Sequence, residues 1–224
     1  MTPDLRPLTD QEREDLRLHK LWLDDPSKGK QLNWSGKDLR FATLCFADLS
    51  DANLSRTDLR HADLSLAYLR GADLFRANLH KANLSKANLN GANLLGVDLS
   101  EADLSQASLF RANLSEANLT RANLLSANLV RASLFNANLR CANLRYADFS
   151  NAEGVWVSGE LYRTRQRLAV IKNHTGLVAF LGSRQQLTIS ELEHDIRQNM
   201  MPSEDRDDYL QAIEDAKQHF SEQA

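Results

Sequence analysis

Six histidines, His19, His61, His80, His174, His194 and His219, and two cysteines, Cys45 and Cys141, are the side chains of this 224-residue chain best suited to metal or nucleophilic chemistry. None of them fall in the H-x-x-x-H or C-x-x-C spacing of a zinc site. Glu191 and His194 stand three apart on a prospective helix, the spacing used by carboxylate-bridged metals, but one copy without partner carboxylates reads as a surface pair. No Gly-rich phosphate loop occurs. Ser, Asp and Asn are abundant because they recur at fixed places, so an apparent Ser, His and Asp set is a coincidence of composition. The expectation is no enzyme, no metal and no cofactor.

The elements that would have to position such residues are unusual. From Lys37 to Asn151 the chain runs in uninterrupted blocks of five: K-D-L-R-F, A-T-L-C-F, A-D-L-S-D, A-N-L-S-R and onward to A-D-F-S-N. The centre of each block is Leu from Leu39 to Leu144, and Phe149 closes the series. Two residues before the centre stands Ala, except at Lys37, Thr57 and Val97, and just before the centre stands Asn or Asp in most blocks. On an α-helix five residues advance about 500°, so the leucines would spiral round the surface. On a continuous strand an odd step would send alternate leucines to opposite faces. The chain must therefore turn once per block, with the centre and its Ala pointing inward across a short extended piece. Asn, Asp and Ser tolerate turns and bond to nearby backbone. Such repeats stack into solenoids, because no single block can bury its own apolar face.

The array resembles the pentapeptide repeat family, whose pattern is A-[D/N]-L-x-x, and the resemblance covers about half the chain. It implies a mainly β solenoid, a right-handed quadrilateral β-helix with four blocks per coil and about six coils. At the spacing of paired strands the rod would be roughly 28 Å long. A fold of this kind does not carry an activity with it. Some members protect or inhibit DNA gyrase by imitating duplex DNA with an acidic rod. Here Lys and Arg slightly outnumber Asp and Glu within the array, and eight of its acids are the Asp before the centre, tied up at turns. Asp51, Glu101 and Glu116 are the acids at freely outward places. No block is interrupted by the projecting loops of the quinolone-resistance members.

The net charge of −3 is too small to imply a nucleic acid or an acidic partner. No apolar run approaches a membrane span, and the first ten residues lack signal-peptide character, so the expected location is the cytoplasm. Cys45 and Cys141 lie about five coils apart, too far for a disulfide between them.

Both ends need covers, since an open coil presents unpaired backbone and bare leucines. Residues 1–35 form an N-terminal segment: 1–8 read as loose, Thr9 with Glu12 as a capping box, and Asp10 to about Leu23 as a helix ended by Pro26 to Gly29. Trp34 falls on the centre register five before Leu39 and serves as one end plug, with Trp156 as the other. The coil occupies 36–151. In 152–224, R-L-A-V-I-K, N-H-T-G and L-V-A-F-L-G read as a hairpin, with a helix over 160–173 as the competing assignment. Ser190 with Glu193 predicts a capped helix, and Pro202 opens a last helix with Tyr209, Leu210, Ile213, Ala216 and Phe220 on its apolar side. This tail loosely resembles a module that follows such arrays in some bacterial and phage proteins.

Two outward surfaces stand out. Phe75, Leu95, Phe110, Leu125, Val130 and Phe135 occupy the place after the centre, where a side chain should meet solvent, so they mark a partner or self-association surface unless the tail folds over them. Arg40, Arg60, Lys81, Arg121 and Arg140, with His61 and His80, form a basic stripe that is either solvated or a docking strip for an acidic protein or nucleic acid. The expected function is a non-enzymatic scaffold presenting flat β faces to a protein partner, with a homodimer as one form and direct nucleic-acid binding not expected. The alternative is a DNA-mimicking modulator of gyrase or another topoisomerase.

Overall fold

A computed structural model describes residues 5–157, 168–173, 176–181, 187–199 and 204–222. From Asn33 onward, backbone pairs recur at a separation of twenty. Asn33 pairs with Asn53, Asp38 with Asp58, Thr43 with Asp63 and Asp48 with Tyr68, all parallel, and the series runs to Ser133 with Glu153. Four blocks therefore make one coil with four walls. On each wall the pairing is brief: Leu39 N–H donates to the Asp58 carbonyl at 2.8 Å, and Asp58 N–H donates to the Lys37 carbonyl at 2.9 Å. A bend follows at once, so the coil is built of single bridges and not of long strands.

The bend is the same in every block. Ala42 N–H closes a four-residue turn onto the Leu39 carbonyl at 3.1 Å, and the third residue of that turn, Phe41, has φ of +59°. All 23 last places, from Phe41 to Asn151, take positive φ, and only Gly71, Gly91 and Gly96 among them are glycine. None is Val, Ile or Thr, the residues for which this region is most costly. The residue before the centre holds the bend from within: Asp38 Oδ1 accepts the Arg40 N–H at 3.1 Å, and Asn83 Oδ1 accepts the Ser85 N–H at 3.1 Å. Amides also tie one coil to the next, since Asn83 and Asn93 donate to Asp63 and Asp73 one coil earlier at 3.0 and 2.8 Å. An Asn above an Asp supplies the donor that two stacked carboxylates would lack.

The centre leucines from Leu39 to Leu134 form one fully enclosed column with the inward alanines beside it. Burying each leucine stabilises the coil by about 1.5–3 kcal/mol. Exposure begins only at the far end, at Leu144 and Phe149. The departures from Ala have local causes at two places. Thr57 is fully buried and its hydroxyl donates to the Trp34 carbonyl at 2.8 Å. Lys37 reaches back to Glu12 at 3.4 Å and Asp15 at 4.0 Å.

At the N-terminal end helix α1, Asp10–Asp24, begins in a complete capping box between Thr9 and Glu12. Trp34 lies buried beneath it, its indole N–H bonded to Asp15 Oδ2 at 2.8 Å. Residues 5–8 are not loose. Arg6 pairs with Ala42, donating its N–H to the Phe41 carbonyl at 2.7 Å and accepting the Thr43 N–H at 3.0 Å. It thus fills the free edge of the first coil, and a two-pronged bond to the buried Glu12 at 2.9 and 3.0 Å locks it there. That contact, with the Thr9 N–H, holds the Glu12 carboxyl at a pKa of about 2. Residues 1–4 lie outside the described residues.

At the other end four strands form an antiparallel sheet in sequence order: β1 Val155–Val157, β2 Leu168–Asn173, β3 Gly176–Leu181 and β4 Leu187–Thr188. The helix considered over 160–173 is not formed at 168–173, which is strand; 160–167 lie outside the described residues. Alternation along β2 gives the sheet two tasks. Ala169 and Ile171 join the core of the coil with Val155, whereas Val170 joins a second core with Ala179 and the helices α2 Ile189–Asn199 and α3 Glu204–Glu222. Tyr209, Ile213, Ala216 and Phe220 of α3 are buried there. The box that starts α2 is Thr188 with Glu191, not Ser190 with Glu193: Glu191 accepts the Thr188 N–H at 2.8 Å, and Thr188 Oγ1 accepts the Glu191 N–H at 3.2 Å. Glu193 is instead engaged by Arg197 at 2.8 Å and Lys217 at 2.7 Å, joining α2 to α3. Trp156 lies in β1 opposite Val170, and its side chain is outside the described residues.

Candidate interaction surfaces

The place after each centre is less open than its position on the wall suggests. Phe75, Leu95, Phe110, Leu125 and Val130 are half-buried, and Phe135 is exposed at 44%. Over Phe75 and Phe110 corner arginines supply part of the cover. The Arg56 and Arg76 guanidinium groups lie 6.0 and 5.1 Å from the Phe75 ring centre, and that of Arg111 lies 5.2 Å from the Phe110 ring centre. Among the described residues, the tail sheet meets the coil's core through Ala169 and Ile171.

Among the described residues, other open apolar groups stand elsewhere. Phe46 is 65% exposed and Leu66, one coil further on at the same corner, is 39% exposed. Tyr68, on the adjoining wall, is 53% exposed. Tyr146 continues the corner column of Phe46 at the far end of the coil and is also open, at 63%. Sequence reasoning looked to the place after the centre and passed over the corners. The signal was present, since Phe46, Leu66 and Tyr146 share one position modulo twenty.

The basic stripe occupies two neighbouring columns and is partly compensated. Arg40 pairs with Asp38 at 2.7 Å and approaches Asp58 at 3.7 Å, and Arg60 pairs with Asp58 at 2.6 Å. Lys81 and Arg121 converge on Glu101 at 3.5 and 3.7 Å, so Glu101 is not a free outward acid. Arg140 is exposed. His61 stacks on Phe41 with ring centres 4.9 Å apart and meets His80 edge-on at 6.0 Å. Burial, and then His80, Lys81 and Arg60, push its pKa below the usual imidazole value. Five cations thus face three carboxylates, so the stripe keeps a modest positive excess, with Arg140 outside these pairs.

Models of pentapeptide repeats match in eight copies over residues 38–74, 77–115 and 112–151, half of the chain. The chain belongs to the pentapeptide repeat family. Members of this family form right-handed quadrilateral β-helices, and this chain shows a ladder of parallel bridges with a period of twenty residues. Among solved structures, similarity is found to the pentapeptide repeat protein Rfr23 of the cyanobacterium Cyanothece 51142, with 28% identity over 62% of this chain and 94% of that one and a TM-score of 0.37. HetL of Nostoc sp. strain PCC 7120, involved in heterocyst differentiation regulation, is 33% identical over 55% of this chain and 83% of its own, with a TM-score of 0.23. QnrB1, a plasmid-mediated fluoroquinolone resistance protein, is 20% identical over 55% of this chain and 68% of its own, with a TM-score of 0.36. No match was found among curated proteins.

In this pentapeptide repeat protein no group of three or more His, Cys, Asp or Glu is placed to hold a metal among the described residues. Glu191 caps α2 through Thr188 while His194 is exposed. Cys45 and Cys141 are free thiols. A cavity of about 550 Å³ opens between the last coil and the end of α3, lined by Asp148, Ser150, Glu153, Val157 and His219 among others. No helix of the described residues is long and apolar enough to cross a membrane.

Proposed function

We propose that this protein is a non-enzymatic scaffold that docks a partner protein on the walls of its coil. For that role the chain divides into a capping segment, residues 1–35, the coil, 36–151, and an end module, 152–224. The observation that carries the proposal is the open Phe135 ring, set on a wall whose backbone is bonded to the coils on both sides and close to the half-buried Phe110 and Val130. Such a surface is ordered before binding, so little conformational entropy is lost on contact. Removing these side chains leaves the leucine column untouched. In affinity capture from cell extract, a Phe110→Ser, Val130→Ser, Phe135→Ser variant is expected to melt with the wild type yet lose its bound protein. Equal capture by both would remove these residues from the docking surface. The alternative of DNA mimicry gains no support from the walls, where Glu101 bridges two cations and Asp38 and Asp58 each hold an arginine.

A further inference from the structure

We infer that the edge formed by Phe46, Leu66 and Tyr68 is the docking surface for a second copy of this chain lying antiparallel along it. This surface is distinct from the adjoining walls that carry Phe110 and Phe135, and it stands whether or not those walls bind another protein. Three features carry the inference.

The coil does not use these side chains. Phe46 and Leu66 project from corners with φ of +60° and +59°, where glycine or a polar residue serves the turn as well. Tyr68 replaces the Asp or Asn that closes the turn in the coils on either side of it. Asp48 accepts the Ser50 N–H at 3.1 Å and Asn88 accepts the Asn90 N–H at 3.2 Å, and a phenol offers no such short acceptor. A turn bond is forgone and an aromatic ring is placed in solvent. Contiguous open apolar groups of this kind mark association surfaces.

The three form one continuous patch. Phe46 and Leu66 are neighbours along a corner, since the ladder advances twenty residues per coil, and Tyr68 adjoins Leu66 on the next wall. The patch covers the Phe46 level and the Leu66–Tyr68 level, and the Leu66–Tyr68 level has a further coil on each side of it.

The charges around the patch fit a copy of itself. Asp48 lies on the coil before that level and Lys86 on the coil after it. Both are exposed, and neither belongs to an ion pair among the described residues. A twofold axis across the rod at this level superposes the coil of Asp48 on the coil of Lys86 in the other copy. Leu66 and Tyr68 then meet their own counterparts. Lys86 of the second copy reaches both Asp48 and the face of the Phe46 ring, where an ammonium is attracted to the π system. Each contact occurs twice, as an isologous interface requires.

The test is sedimentation velocity of the full chain across a range of concentrations at low ionic strength, with melting followed in parallel. The wild type is expected to show a reversible monomer–dimer equilibrium. Tyr68→Ser and Phe46→Ser are each expected to raise the dissociation constant about tenfold or more without lowering the melting temperature. Leu66→Asn serves as a third probe should either variant prove unstable. Asp48→Lys alone is expected to weaken the dimer, and Asp48→Lys with Lys86→Asp to restore it, the signature of a direct pair. A chain that stays monomeric throughout, a dimer indifferent to Tyr68 and Phe46, or a monomer that captures a different protein through Tyr68 would overturn the inference.

Discussion

The Leu32 N–H donates to His19 Nδ1 at 3.0 Å, while His19 Nε2 lies 2.9 Å from the Ser50 carbonyl. The ring is fully buried between α1 and the first coil, and both nitrogens are engaged only as the neutral Nε2–H tautomer. Burial lowers its pKa from the usual 6.5 despite the opposing Ser50 bond and the carboxylates of Asp48 and Asp51. The unfolded ring thus binds a proton more readily than the folded one. The cap's contribution is complete above pH 6.5 and is lost as the pH falls through the folded value. Protection of the Leu32 amide from exchange, corrected for the intrinsic rate, is expected to fall in that window, and a His19→Asn variant to lose this pH dependence.

Leu94 is a mid-column centre with no exposed surface. Leu94→Ala should destabilise the coil by about 2–5 kcal/mol through lost burial and the cavity left behind. Leu94→Arg should cost more, because a charge would stand unpaired among leucines. Thermal unfolding measures both, and the order Arg below Ala below wild type is expected.

Two glycines separate strain from space. Gly91 has φ of +67° and nothing within 4 Å of where a Cβ would stand, so Gly91→Ala should cost only the left-handed backbone penalty, about 1 kcal/mol. Gly154 has φ of +74° and a Cβ there would meet Phe135 backbone nitrogen at 2.7 Å. Gly154→Ala should therefore lower the melting temperature markedly more than Gly91→Ala.

A DNA-like surface requires a continuous run of uncompensated acids. Asp38, Asp58 and Glu101 are each held by cations, and Asp48, Asp63, Asp73 and Asp98 accept turn N–H groups. Purified protein is expected to leave gyrase supercoiling unchanged, and inhibition or protection in that assay would restore the mimicry reading.

The coil was legible because its rule is local: a leucine every fifth residue can be enclosed only if the chain bends in every block, and the Asx residue and corner that make the bend lie beside it. What escaped reading depends on contacts far apart in the chain. Nothing near Arg6 announces that it will pair with Ala42, 36 residues on, and nothing near His19 announces that Leu32 and Ser50 will close round it. The start of α2 was ambiguous for a different reason. Thr188 and Ser190 each precede a glutamate by three residues, and the choice falls to Thr188 because Glu193 is taken by Lys217 on α3. The partial cover of Phe75 and Phe110 could not be read from their outward place, because it comes from corner arginines such as Arg76 and Arg111.

Every wall and corner assignment depends on a pitch of twenty residues per turn, and the two native thiols measure it directly. Cys141 stands in the corner column of Phe41, five coils along, and Cys45 lies one block beyond Phe41 in the first coil. With spin labels on both, pulsed dipolar spectroscopy of the unaltered chain is expected to give a narrow distribution near the axial rise of five coils, about 24 Å, broadened by the label arms. A broad distribution, or a separation beyond the reach of five coils and two labels, would contradict the coil and every surface placed on it.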